Sequence, residues 1–138
     1  DSRVPATWLL DHLAAARDGA LLALGRVLPA GAGADLAPEA LQRWLHEHAD
    51  GERHVFGANL GVRTDAYLLA GGFPPFGTGE DVALVEAVDH LGDLLPHTEA
   101  RIVELPHSVV RTSGRTDGRT PGGFAGYLRL LVENGPTP

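Results

Sequence analysis

Residues 57–88 read GANLGVRTDAYLLAGGFPPFGTGEDVALVEAV, and their punctuation decides the architecture. His54 to Val62 (HVFGANLGV) is an apolar segment interrupted by Gly57 and Gly61, which predicts a strand or extended piece with 57–62 extended. Thr64 follows as a candidate cap for a short helix over 65–70, and Gly71-Gly72 stops it. Phe73 to Gly79 (FPPFGTG) is a loop by composition. Glu80 to Leu91 then places Val82, Leu84, Val85, Val88 and Leu91 at helical spacing, and Glu80 and Asp81 open that helix. The loop therefore delivers two adjacent carboxylates to a helix start. Acids there are stabilised by the helix dipole and the open amides, so a local capping role and a chemical role both stand open.

The same alternation extends outward. Pro5 opens a helical pattern with Trp8, Leu9, Leu13 and Ala16 on one face, closed by Gly19. Ala20 to Leu28 (ALLALGRVL) is an apolar run that reads as a buried strand. A Gly-rich loop leads to Pro38, which starts a helix to about Ala49 with Leu41, Trp44 and Leu45 inward. Arg101–Leu105 and Ser108–Val110 read as two further strands, and Phe124–Val132 as a last helix. Helices alternating with short strands predict an α/β layer architecture with a mixed sheet.

The chain has 138 residues, the size of one ordinary domain, with 43% hydrophobic and 21% charged residues. No apolar stretch is long enough for a membrane span or a secretory signal. Cysteine is absent, which excludes disulfides and thiolate metal sites and fits a cytoplasmic, reducing location. Eighteen acids against eleven basic residues give a net charge of −7, which argues against nucleic-acid or anionic-membrane affinity. All basic residues are Arg, as a GC-rich coding genome produces, so their identity alone signals no recognition.

Six Arg and fifteen acids lie in residues 1–100, whereas five Arg and three acids lie in 101–138. The sign reversal centres on Arg111, Arg115 and Arg119, spaced by four in a stretch rich in Gly114, Gly118, Gly122 and Gly123. Such a loop can close over a diphosphate with bidentate contacts that Lys does not make, or simply be solvated. His46-Glu47-His48 lacks the i, i+4 pair that sets two metal ligands on one helical face, so an exposed polar face accounts for it.

Taken in order, GAN-x-x-x-R (57–63), GGF (71–73) and GED (79–81) resemble the acceptor-side half of family 2 glycosyltransferases of the GT-A fold. DSRVPATWL (1–9) is similar to the segment that begins at the last Asp of that family's DxD metal motif, which makes the chain a fragment whose N-terminal, nucleotide-binding portion precedes Asp1. The resemblance runs from Asp1 to about Leu131. It implies one GT-A domain, with 1–112 as its acceptor-side half and 113–138 as an Arg/Gly-rich loop, helix and tail.

The implied activity is inverting transfer of a sugar from a nucleotide-sugar donor to an acceptor hydroxyl on a small molecule, glycan or lipid. By that resemblance Asp81 is the general base and Glu80 orients the acceptor or the base. Asn59 and Arg63 line the sugar and acceptor pocket, with an Arg63–Asp65 surface ion pair as the alternative for Arg63. Arg111, Arg115 and Arg119 bind the diphosphate, and Asp1 ligates a divalent metal, Mg or Mn. Members commonly carry a metal-binding His after the strand matching 108–110; here Thr112 stands there, and His107, five residues earlier, is the substitute candidate. The Q-x-x-R-W signature of processive synthases is absent. The competing expectation is a non-catalytic α/β binding or interaction module.

Overall fold

The computed structural model describes residues 2–30, 36–49, 53–94, 101–120 and 122–133. In chain order they form α1 (Trp8–Arg17), β1 (Ala20–Pro29), α2 (Pro38–Glu47), a 3-10 turn (Gly57–Asn59), β2 (Leu60–Val62), α3 (Thr64–Leu69), α4 (Glu80–Leu94), β3 (Arg101–Thr112) and α5 (Phe124–Glu133). The class is α/β, a three-stranded mixed sheet in the order β2-β1-β3 flanked by helices. Among the described residues no helix is long and apolar enough to cross a membrane.

β1 is the central strand, antiparallel to β2 and parallel to β3. Ala20 to Leu24 are all buried, which explains an unbroken apolar run in place of alternation. Its left-handed neighbour Gly19 (φ 94°) turns the chain out of α1 and into the strand. The two strands expected over 101–105 and 108–110 are one strand with a bulge. Gly25 pairs with Leu105, but the next residue, Arg26, pairs with Val109. Pro106 lies in the skipped segment, where it has no N–H to contribute to the ladder.

Two apolar clusters cover the sheet. Leu84, Val85, Val88 and Leu91 of α4 pack with Leu21, Leu22, Leu24 and Ala66. Trp44 of α2 and Leu128 and Leu131 of α5 pack with Val27 and Val110. Residues on both sides of position 112 thus share one core.

Several local expectations shift. Residues 57–59 are a 3-10 turn, so only 60–62 are extended. In α1, Leu9 and Leu13 are exposed while His12 is buried and Trp8 half-buried. In α2, Ala40 and Trp44 are buried and Leu45 is exposed. Thr64 is the first residue of α3 and makes no capping bond; Arg63 holds the cap position.

Candidate functional site

A cleft of about 810 Å³ opens along one end of the sheet. One wall is the 77–82 segment, where Gly79 (φ 81°) takes a left-handed turn immediately before α4. Facing it are Arg115 and residues 118–120 of the Gly-rich loop, followed by the start of α5. Ser2, Thr112 and the 55–58 segment complete the lining.

Glu80 and Asp81 both line this cleft. Asp81 is fixed by two backbone amides: Gly57 N–H donates to Oδ2 (2.7 Å) and Val82 N–H donates to Oδ1 (2.9 Å). Glycine suits position 57, since a Cβ there would stand 3.2 Å from Oδ2. A carboxylate offers about four lone-pair sites. Two are used, so the group is oriented and keeps capacity for a hydroxyl donor.

Arg115 and Arg119 line the same cleft as these carboxylates. The Arg115 amide donates to Ser113 Oγ (3.3 Å), which curls the loop start. Arg111 does not reach it. Its backbone exchanges two hydrogen bonds with Arg3 (2.7 and 3.0 Å), and its exposed side chain alternates with buried Val110 and Thr112. Strand alternation thus corrects the expected diphosphate contact of Arg111.

Asn59 does not reach the cleft either. It is fully buried, and Nδ2 donates to Arg26 O and Ser108 O, both at 2.8 Å. Oδ1 accepts from the Trp8 indole N–H (2.9 Å) and lies 3.2 Å from His12 Nε2. All four hydrogen-bonding positions of the carboxamide are occupied within the protein, so the sugar-lining role is corrected to a structural one. Arg63 is likewise absent from the lining. Its Nε and a terminal nitrogen donate to the Asp65 carboxylate (3.1 and 2.5 Å), and that guanidinium, with the Ala66 amide, holds the Asp65 carboxyl below its ordinary range. The surface ion pair is the observed alternative.

The metal expectation finds no support from the described residues. Asp1 lies outside them. His107 is exposed on the β3 bulge, 3.6 Å from Asp11 of α1, and does not line the cleft. The cleft position that Thr112 occupies holds a hydroxyl within 2.9 Å of Ser2 Oγ. Among the described residues no three His, Asp or Glu side chains converge. Hydroxyls and guanidiniums alone do not make a divalent-cation site.

The aromatic floor of the cleft was not expected from sequence. Trp44 is nearly sealed, with Phe56, Phe124 and Tyr127 around it at ring separations of 5.3–5.7 Å, and these three half-buried rings face the cleft. The Tyr127 hydroxyl donates to Glu47 (2.5 Å), and burial, reinforced by that carboxylate, pushes its pKa up to about 12. His48 stacks on Trp44 at 3.8 Å, and desolvation, aided by neighbouring His54, lowers its pKa although the bond to Trp44 O opposes the shift. Phe124 and Tyr127 were legible only as members of the last helix.

No protein-family model matches the chain, and no curated protein or solved structure matches it significantly.

Proposed function

We propose that the chain is the acceptor-side part of a GT-A-type inverting glycosyltransferase that uses a nucleotide-sugar donor. One observation carries this reading: an oriented carboxylate, Asp81, and two guanidinium groups, Arg115 and Arg119, line a single cleft. The arrangement suits a displacement in which the two ends of the reaction need opposite charge. The acceptor hydroxyl gives its proton to Asp81 as its oxygen bonds to the anomeric carbon. The bond from that carbon to the diphosphate breaks on the opposite face, and the departing oxygens gain charge that Arg115 and Arg119 neutralise. Glu80, beside the base, orients the incoming hydroxyl. The charge on the leaving group thus falls to arginine.

A second reading, a non-catalytic module that binds a phosphorylated ligand, is favoured by the fact that Asp81 accepts its own helix's Val82 amide, as an ordinary first-turn acid does. Turnover, measured on the protein together with its nucleotide-binding portion, separates the two. Nucleoside diphosphate release from UDP-hexoses and GDP-hexoses, with a simple glycoside as acceptor, measures transfer. Asp81→Asn keeps the shape and removes the base, and turnover should fall roughly 10²–10⁴-fold. Near-full turnover in that variant removes Asp81 from the role. Diphosphate binding without turnover in the unaltered protein leaves the binding module.

A further inference from the structure

We propose that Asn59 is the positioning residue for Asp81: its buried carboxamide fixes the 57–59 turn so that the Gly57 N–H meets the carboxylate. This rests on the reading of Asp81 as the acceptor-side base. Asn59 ends the turn, and its own amide closes it by donating to Phe56 O (2.9 Å). From there the side chain ties three elements together. It reaches β1 at Arg26 O, β3 at Ser108 O, and α1 at the Trp8 indole.

Three features of the sheet are arranged around this side chain. The β3 bulge, which moves the pairing from Gly25/Leu105 to Arg26/Val109, contains Ser108, whose carbonyl accepts from Asn59. Gly25 opens the space the carboxamide fills, because a Cβ there would stand 2.1 Å from Nδ2. Gly61 does the same for His12, where a Cβ would stand 2.4 Å from Nδ1. His12 Nδ1 and Ser108 Oγ beside it are buried without a partner, whereas the Asn59 carboxamide has all four of its hydrogen-bonding positions paired, which holds it in one geometry. That rigidity passes along two residues of a tight turn to Gly57 and, over 2.7 Å, to Asp81 Oδ2. α4 packs its Leu84, Val85 and Val88 on the sheet, and those contacts set the helix's depth; the direction of the Asp81 carboxylate is set by the Gly57 amide together with the Val82 amide of its own helix.

The experiment reads the hydrogen bond itself, by NMR on the whole chain. A scalar coupling across the bond links the Gly57 amide nitrogen to the Asp81 carboxyl carbon. It is expected in the unaltered protein, lost in Asn59→Ala, and reduced in Trp8→Phe, which removes one of the four Asn59 partners and keeps an aromatic ring. Val88→Ala, which loosens the core without touching the turn, should keep it; a general loss of stability would not make that distinction. An absent coupling in the unaltered protein overturns the proposal. So does an unchanged coupling in folded Asn59→Ala, or in Trp8→Phe where Asn59→Ala does not fold. In the UDP-hexose transfer assay, Trp8→Phe should lower kcat and leave the donor KM in place. A protein that shows the coupling and its loss but never turns over a donor refutes the base assignment and leaves the positioning intact.

Discussion

Gly25→Ala should be among the most damaging single methyl additions in this chain, and its cost follows from contact alone. The position has ordinary strand geometry, so the backbone itself accepts alanine. The new carbon would lie 2.1 Å from Nδ2, 2.4 Å from Cγ and 2.6 Å from Oδ1 of Asn59. A van der Waals contact needs about 3.5 Å or more, so the carboxamide must retreat by more than an ångström. Its 2.8 Å bonds to Arg26 O and Ser108 O do not survive that movement. Overpacking costs about 1–3 kcal/mol. Each stranded buried group adds about 1–3 kcal/mol, at the lower end for carbonyls, which tolerate partial satisfaction. The total is about 3–5 kcal/mol, a large part of the roughly 5–15 kcal/mol that holds a domain together. Asn59→Ala leaves the same carbonyls and the Trp8 N–H unpaired and should cost a similar amount. The two changes together should cost little more than Asn59→Ala alone, since the methyl enters space the carboxamide has vacated. That coupling, nearly the whole cost of Gly25→Ala at about 3–5 kcal/mol, is read from urea denaturation of the four proteins in a double-mutant cycle, followed by tryptophan fluorescence and far-UV circular dichroism. Additive costs, or a Gly25→Ala penalty below about 1 kcal/mol, would refute the reasoning.

Tyr127 should make the protein alkali-sensitive: its folded pKa stands above the usual 10.0, at about 12, so the stability it contributes is complete below 10 and is lost as pH rises through 12. Urea midpoints across that range should fall in the unaltered protein and fall less in Tyr127→Phe. His48 acts in the other direction. Burial lowers its pKa from 6.5, so its contribution is complete above 6.5 and is lost as pH drops below that value, and His48→Gln should flatten the acid limb of the same curve. In the protein together with its nucleotide-binding portion, Arg119→Ala should weaken UDP affinity about tenfold or more where the contact is sheltered, and raised salt should narrow the difference. By contrast, Arg111→Ala should leave UDP affinity unchanged in isothermal titration, because that side chain does not line the cleft.

What the sequence made legible, and what it hid, divides along one physical line. The β1 run and the α4 periodicity were readable because hydrophobic burial is set by position in an element; Ala20–Leu24 and Leu84, Val85, Val88 and Leu91 are buried as expected, while Val82 in the first turn of α4 is exposed. Asp81 was readable because a helix start after a Gly/Pro loop fixes a carboxylate through local amides. The inward face of α1 was not. Counting apolar residues put Leu9 and Leu13 beside Trp8, yet it is His12 that turns inward with Trp8, where Asn59 offers an acceptor from a turn some fifty residues away. The β3 bulge is hidden for the same reason: Pro106 announces an interruption, but only the distant carboxamide says why Ser108 O should face inward. Asn59 itself shows the limit most sharply. A carboxamide has two donors and two acceptor sites whether it grips a sugar or joins three stretches of backbone, so its place in GAN-x-x-x-R does not distinguish the two uses. Burial does. At Asn59 those positions are occupied inside the protein, and the contact with the cleft belongs instead to its turn-mate Gly57, which has no side chain and contributes an amide to Asp81.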